Sequence, residues 1–163
     1  MILEEININQ INEFWEMFNR YMHEDIIPNW SLCGGEHTAM SEYYFSDTYH
    51  NTITTLFQCD KQPVRIGFYK DGDKVLGFAM YVVYNLEDCK GFIMEYCILP
   101  EYRNKGLGSL AYQILENEIK RLHGKFIDLT TSNENNTRFW HSHGFEKTNI
   151  ADSDGEYFFR KLL

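Results

Sequence analysis

Ile98-Leu99-Pro100-Glu101-Tyr102-Arg103-Asn104-Lys105-Gly106-Leu107-Gly108-Ser109 is the stretch on which the reading of this chain turns. An apolar run rich in strand formers, Phe92 to Leu99, leads into it, and Pro100 closes that run because proline has no amide hydrogen to give a sheet ladder. From Ser109 to Leu122 apolar residues recur at helical spacing, with Leu110, Ile114, Leu115, Ile119 and Leu122 predicted on the buried side and Gly124 as the stop. The stretch is therefore a strand end, a glycine-rich loop and a helix start. Such a junction suits an anion. The amides of a first helical turn lack helical acceptors, the helix dipole places partial positive charge there, and Gly106 and Gly108 let a phosphate approach bare backbone. Arg103 and Lys105 add positive charge to an otherwise acidic chain.

Two common phosphate loops do not fit. A P-loop needs Gly-Lys followed by Ser or Thr, whereas here Leu107 follows Gly106. The dinucleotide fingerprint fails at its third glycine, where Ala111 stands.

Upstream of the loop, Val64 to Tyr69, Val75 to Tyr84 and Phe92 to Leu99 read as a three-stranded antiparallel meander, turned at Asp71-Gly72 and at the polar run Asn85 to Lys90. Downstream, Phe126 to Thr131 reads as a strand and Glu134 to His143 as a short helix with Asn133 as its N-cap and Gly144 as its stop. Phe145 to Ile150 and Glu156 to Leu162 flank Asp154-Gly155 as a final hairpin. Near the N-terminus, Ile8, Ile11, Phe14, Trp15, Phe18, Tyr21 and Met22 form the apolar stripe of a helix that Pro28 ends. Ser31 to His50, with Gly34-Gly35 and then Met40, Tyr43, Tyr44 and Phe45, reads as a loop leading into a second helix. The order predicts a mixed α+β sheet covered by helices.

The length of 163 residues predicts one domain spanning 1–163, and 44% hydrophobic with 24% charged residues is the balance of a soluble globular protein. The longest apolar stretch, Val75 to Tyr84, is about half of what a spanning helix needs, and the acidic first residues do not resemble a secretory signal, so a cytoplasmic location is expected. Cys33, Cys59, Cys89 and Cys97 lie apart, which predicts free thiols and no zinc site. A net charge of -9 argues against nucleic acid or an anionic membrane as partner and favours a cationic one, although acidity also serves solubility.

Arg103-x-x-Gly106-x-Gly108 at the end of a meander strand resembles the pyrophosphate-binding motif of the GNAT superfamily of acyl-CoA N-acyltransferases. Tyr102 to Gly108 after a hydrophobic-x-Pro strand end is similar to the longer consensus, and Asn133 to Phe145 is similar to the family's second conserved region. The resemblance spans about Val64 to Leu163 at motif level. It implies the GNAT fold: a central, mostly antiparallel twisted sheet flanked by helices, in which the third meander strand and the strand after the loop splay apart to form the CoA cleft. By the same resemblance, acetyl-CoA is the co-substrate and no metal is involved. The backbone of Cys97, Ile98 and Leu99 would face the pantetheine arm, with Ile98 contacting the developing oxyanion. Arg103, Asn104, Lys105, Gly106, Leu107, Gly108 and Ser109 would hold the pyrophosphate, and Asn133 would reach the cofactor arm from the opposite side.

The chemistry expected of the family is direct attack by an amine on the thioester. An alkylamine, with a pKa of about 10.4, arrives protonated and needs a base. Glu95 is the candidate, being the one carboxylate inside the strand beside the thioester, in an apolar run that should raise its pKa; a pairing with a neighbour or a solvent-facing position at a strand edge is the alternative. Where the family usually carries a Tyr that protonates the leaving thiolate, this chain has Trp140, which is read as a wall of the pocket; Tyr96, Tyr112 or water are the other proton sources. Cys97 is read as a packed hydrophobe rather than a nucleophile, and His141 and His143 as surface residues. His23-Glu24-Asp25 reads as a polar helix end, near the loop where the family admits its acceptor; Glu36 and His37 share that loop as candidates to line the acceptor pocket, and Tyr43, Tyr44 and Tyr49 are aromatic enough to shape it, although core packing is the commoner fate of such residues. The expected acceptor is a small cationic amine; a protein N-terminus or lysine, and a non-catalytic CoA-binding module, are the competing readings. Monomer and homodimer both stay open.

Overall fold

The computed structural model describes residues 1–29, 34–131, 133–153 and 155–163, with residues 34–37 described by backbone alone. Seven strands form one sheet: β1 (Ile2–Glu5), β2 (Arg65–Asp71), β3 (Lys74–Tyr84), β4 (Lys90–Ile98), β5 (Phe126–Leu129), β6 (Glu146–Ala151) and β7 (Tyr157–Leu162), in the order β1-β2-β3-β4-β5-β7-β6. All neighbours pair antiparallel except β4 and β5, which run parallel. The helices are α1 (Ile11–Tyr21), α2 (Gly34–Tyr44), α3 (Asp47–Phe57), α4 (Leu107–Arg121) and α5 (Glu134–Ser142).

Both faces of the sheet are covered, which is why β3 is apolar almost throughout instead of alternating. On one face Ala111, Tyr112, Leu115 and Ile119 of α4 and Trp140 of α5 pack against Ala79, Tyr81, Ile93 and Ile98. On the other, Phe14, Trp15, Phe18 and Met22 pack with Tyr49 and Ile53 of α3 against Phe68, Phe78, Met80 and Cys97.

The meander, the strand after the loop and the last hairpin stand where the sequence predicts them, within two residues at most ends. Several expectations need correction. A strand, β1, precedes the first helix; it is a short and mostly exposed edge that shows no alternation of apolar and polar residues. Two helices, not one, fill the segment before the meander, since Ser46 caps α3 by accepting from the Tyr49 amide at 3.2 Å. The helix α4 starts at Leu107, two residues early, because Gly106 adopts the left-handed conformation (φ 75) that serves as its cap. Leu110 is 43% exposed, and Ala111 and Tyr112 take its place in the core. The strand β5 ends at Leu129 rather than Thr131. Of the predicted final turn and free thiols, Asp154 and Cys33 lie outside the described residues, and Cys59, Cys89 and Cys97 carry free thiols.

Candidate active site

Two irregularities of β4 create the site. The first is its parting from β5. The parallel ladder runs only through Lys90↔Phe126, Gly91↔Ile127 and Phe92↔Asp128, while β4 continues to Ile98. Beyond the fork, a slot opens between the two strands. Asp128, 2% exposed, sits at this fork and accepts two hydrogen bonds from Arg160 at 2.7 and 2.8 Å, which satisfies a carboxylate the core would otherwise not tolerate.

The second is a bulge. Met80 pairs with Glu95 but Tyr81 pairs with Ile93, so Met94 is an extra residue on β4. Before the bulge, Gly91 and Ile93 face α4; after it, Tyr96 and Ile98 do. With strict alternation Glu95 would share the face of Ile93. The bulge turns Glu95 to the opposite face, where Tyr21 and Tyr49 lie. Glu95 is half-buried there, and desolvation pushes its carboxyl up to about 8, with the Tyr21 hydrogen bond as the opposing effect. Burial and the neighbouring carboxylate push the Tyr21 phenol well above its ordinary value.

The slot and the bulge open into a single cleft of about 980 Å3. Ile93, Met94, Glu95, Tyr96, Cys97 and Ile98 form its floor. Asn104, Gly106, Gly108 and Ser109 close one end, Thr130, Thr131, Asn133, Phe139 and Trp140 one side, and Tyr21, Asp25, Ile26 and Tyr44 the other. Of the residues predicted for the site, Leu99, Lys105 and Leu107 lie outside this lining; Lys105 donates to the Glu101 carbonyl at 3.0 Å. Asn133 lines the cleft with its side chain committed to capping α5, where it accepts from the Asn136 amide at 2.9 Å.

Arg103 is engaged within the protein. Its guanidinium forms a two-pronged pair with Asp25, one prong at 2.7 Å, and its Nε donates to the Ile98 carbonyl at 2.6 Å. Asp25, read from the sequence as part of a polar helix end, belongs to a π-helical turn, Met22–Ile26, that extends α1 to the cleft. The pair thus ties the end of α1 to the glycine-rich loop. Asn104 joins Gly106 in the left-handed region (φ 60), a conformation asparagine tolerates better than most residues.

Trp140 is 6% exposed and packs edge-on against Tyr96, Tyr112 and Phe145, so it is wall and core together. Among the other proton sources considered, Tyr96 lines the cleft and donates its hydroxyl to the Gly108 carbonyl, whereas Tyr112 lies outside the lining. Burial pushes the Cys97 thiol up to about 12 despite Arg103 nearby, which leaves it un-ionised at neutral pH. His141 and His143 are less free than surface residues, since each brings a ring nitrogen within 2.8 Å of a backbone carbonyl. The three tyrosines divide: Tyr44 lines the cleft, Tyr49 is core and Tyr43 is 45% exposed. The side chains of Glu36 and His37 lie outside the described residues. Tyr21 and Thr131 are cleft residues to which the sequence gave no site role, Tyr21 being marked only as part of a helical stripe, and Asp25 lines the cleft although it reads as a polar helix end.

The cleft has the features an acyl-CoA requires. β4 has an open edge beyond Phe92, the first turn of α4 has no side-chain cap on its amides, and Thr131 Oγ1 is buried without a hydrogen-bond partner. A mixed sheet with a fork at its one parallel pair, and a glycine-rich loop feeding a helix there, is the architecture of acyl-CoA N-acyltransferases.

Comparison with known proteins agrees. The profile of the acetyltransferase (GNAT) family matches residues 15–145, and the chain belongs to that family; it is an acyltransferase. Among solved structures it is similar to PaiA N-acetyltransferase from Thermoplasma acidophilum in complex with coenzyme A (14% identity, TM-score 0.73, 100% of both chains). It is likewise similar to YycN from Bacillus subtilis (13% identity, TM-score 0.73, 99% of this chain and 98% of that one). A GNAT acetyltransferase from Elizabethkingia anophelis with acetyl-CoA bound matches over 72% of this chain and 84% of its own, at 14% identity and a TM-score of 0.56. At these identities the likeness is one of fold. No curated protein sequence matches. No helix among the described residues is long and apolar enough to cross a membrane, and no group of three or more His, Cys, Asp and Glu among them is arranged to hold a metal.

Proposed function

We propose that this protein, as one domain over residues 1–163, is an N-acetyltransferase that moves the acetyl group of acetyl-CoA directly to a primary amine of a small molecule, with Glu95 as the base. The observation that carries the reading is the position of Glu95, a carboxyl with a raised pKa turned by a bulge into the cleft at the edge where β4 and β5 part. The co-substrate supplies a thioester carbon open to attack and a thiol as leaving group. The amides of Gly108 and Ser109 and the backbone of Asn104 to Gly106 are assigned to its diphosphate, and the open edge of β4 at Cys97 and Ile98 to its amide arm. Thr131 Oγ1 supports that assignment from the β5 side.

Glu95 in its ionised form accepts the proton of the incoming ammonium, which frees the nitrogen lone pair. An amide of β4 near Ile98 steadies the carbonyl oxygen as charge gathers there. Attack forms the C–N bond, collapse of the tetrahedral intermediate breaks the C–S bond, and the nitrogen sheds its second proton to water; Trp140 walls the centre and gives up no proton, so the departing thiolate is protonated from solvent or by a neighbouring hydroxyl. Tyr21 holds the Glu95 carboxyl on the amine side by hydrogen bonding. The test is thiol release from acetyl-CoA on addition of primary amines, with the acetylated amine identified by mass spectrometry. Thermal stabilisation by acetyl-CoA without release over any amine would leave a CoA-binding module instead.

A further inference from the structure

The half of the cleft on the α1 and α3 side of β4 has a chemistry of its own. Tyr21 comes from the end of α1, Met22 and Ile26 from the π-helical turn, Tyr44 from the end of α2, and Met94 is the bulged residue. Each packs with the core on that face. The Tyr44 ring is fixed edge-on against Tyr49, with centroids 4.9 Å apart.

Among the described residues, two carboxylates reach this half, Asp25 and Glu95. Asp25 is consumed by Arg103, whose guanidinium matches both its oxygens. Glu134 lines the cleft from α5 on the other side and pairs with Arg138 at 3.1 Å. Among the described residues one acid, Glu95, is therefore left to meet an acceptor among thioether, aliphatic and ring surfaces. A second ammonium or a set of sugar hydroxyls placed here would lose its water with few partners in return, because the Tyr21 hydroxyl is bonded to Glu95 and the Asn29 amide donates to the Asp25 carbonyl at 2.8 Å. A ring or aliphatic body would gain contact with Tyr44 and Met94.

We infer that the acceptor is a primary monoamine on an apolar body of about one ring, with Tyr44 and Met94 as the residues that select it. This rests on the amine-acetylating reading above and narrows its substrate class; polyamines and amino sugars become poor acceptors. The negative charge of the chain draws cations to the mouth of the cleft, but the described residues provide no second unpaired anion in this half.

The test compares kcat/KM for 2-phenylethylamine, spermidine and glucosamine by thiol release, alongside the thermal shift with acetyl-CoA. The expected result is a preference of at least about tenfold for 2-phenylethylamine, the discrimination apolar pockets commonly reach. Tyr44→Ala should erase most of that preference with KM for acetyl-CoA unchanged; Met94→Thr, a smaller change, serves as the second variant should Tyr44→Ala fail to fold. Spermidine or glucosamine accepted as well as the aromatic amine would overturn the inference and leave amine acetylation standing. A loss that is equal for all three amines in both variants would also overturn it. No thiol release with any of the three, while acetyl-CoA still raises the melting point, would overturn this inference, and the same silence across the full set of primary amines would overturn the acetylating function with it.

Discussion

Glu95→Gln separates a base from a packed carboxyl, because stability and rate respond to pH in opposite ways. A carboxyl that keeps its proton up to about 8 when folded, but only to about 4.5 when unfolded, binds more protons in the folded state between those values. Its contribution to stability is whole below pH 4.5 and drains away as pH rises to 8. Glutamine stays neutral, so the variant should gain on the parent over that window. The full shift corresponds to a ceiling of about 5 kcal/mol, and water in the cleft around a half-buried group cuts this to about 1–2 kcal/mol. For a chain of this size the variant should melt roughly 3–6 °C higher than the parent at pH 8 and about level with it at pH 5. In the kinetic assay, the parent's log kcat/KM should climb with unit slope to pH 8 and then level, because an ionised Glu95 takes the proton of an amine that arrives as ammonium. The variant should be slower by about 100-fold at pH 8 and should keep climbing towards the amine's own pKa of about 10, since only free amine can then react. A variant that is stabilised as expected yet levels near pH 8 like the parent would refute the catalytic role.

Four further outcomes follow from single residues. A Cβ at Gly108 would meet only the Phe139 ring, at 3.4 Å, so Gly108→Glu should fold normally; it should also abolish the rise of about 5–10 °C expected for the parent at acetyl-CoA about 100-fold above Kd, measured by differential scanning fluorimetry. Gly77→Ala would drive its Cβ to 2.0 Å from the Cys97 carbonyl oxygen, beside the Gly77↔Ile98 pair of β3 and β4, and should cost about 2–4 kcal/mol in urea melts. Asp25→Asn breaks the pair that ties α1 to the loop and should lower the melting point by roughly 3–6 °C; Arg103→Lys should not be milder, because an ammonium cannot meet both Asp25 oxygens and the Ile98 carbonyl together.

Much of this protein could be read from its residues alone, because the signals concerned are local. A proline at a strand end, glycines before a helical period and paired turn residues constrain the backbone through nearest neighbours, and they marked the meander, the loop, α4 and the final hairpin. The same locality explains the misses. β1 is four residues long and lies at an exposed edge, so its strand character comes from pairing with β2, not from its own pattern. Ser46 was a readable cap, obscured by the run of aromatic residues around it.

The site divides along the same line. The glycine-rich loop, the strand beside it and Glu95 as the candidate base all followed from residue types in order along the chain. The parting of β4 from β5, the direction in which Glu95 points and the partner of Arg103 did not, since each depends on residues distant in sequence. The bulge at Met94 is defined only by the register of β3 against β4, and it decides whether Glu95 meets α4 or Tyr21. Arg103 reads as a phosphate ligand until Asp25, 78 positions earlier, is brought to it by the packing of α1 on the sheet. Local sequence set the backbone that can hold an anion; long-range packing alone decided which charges were left free to act.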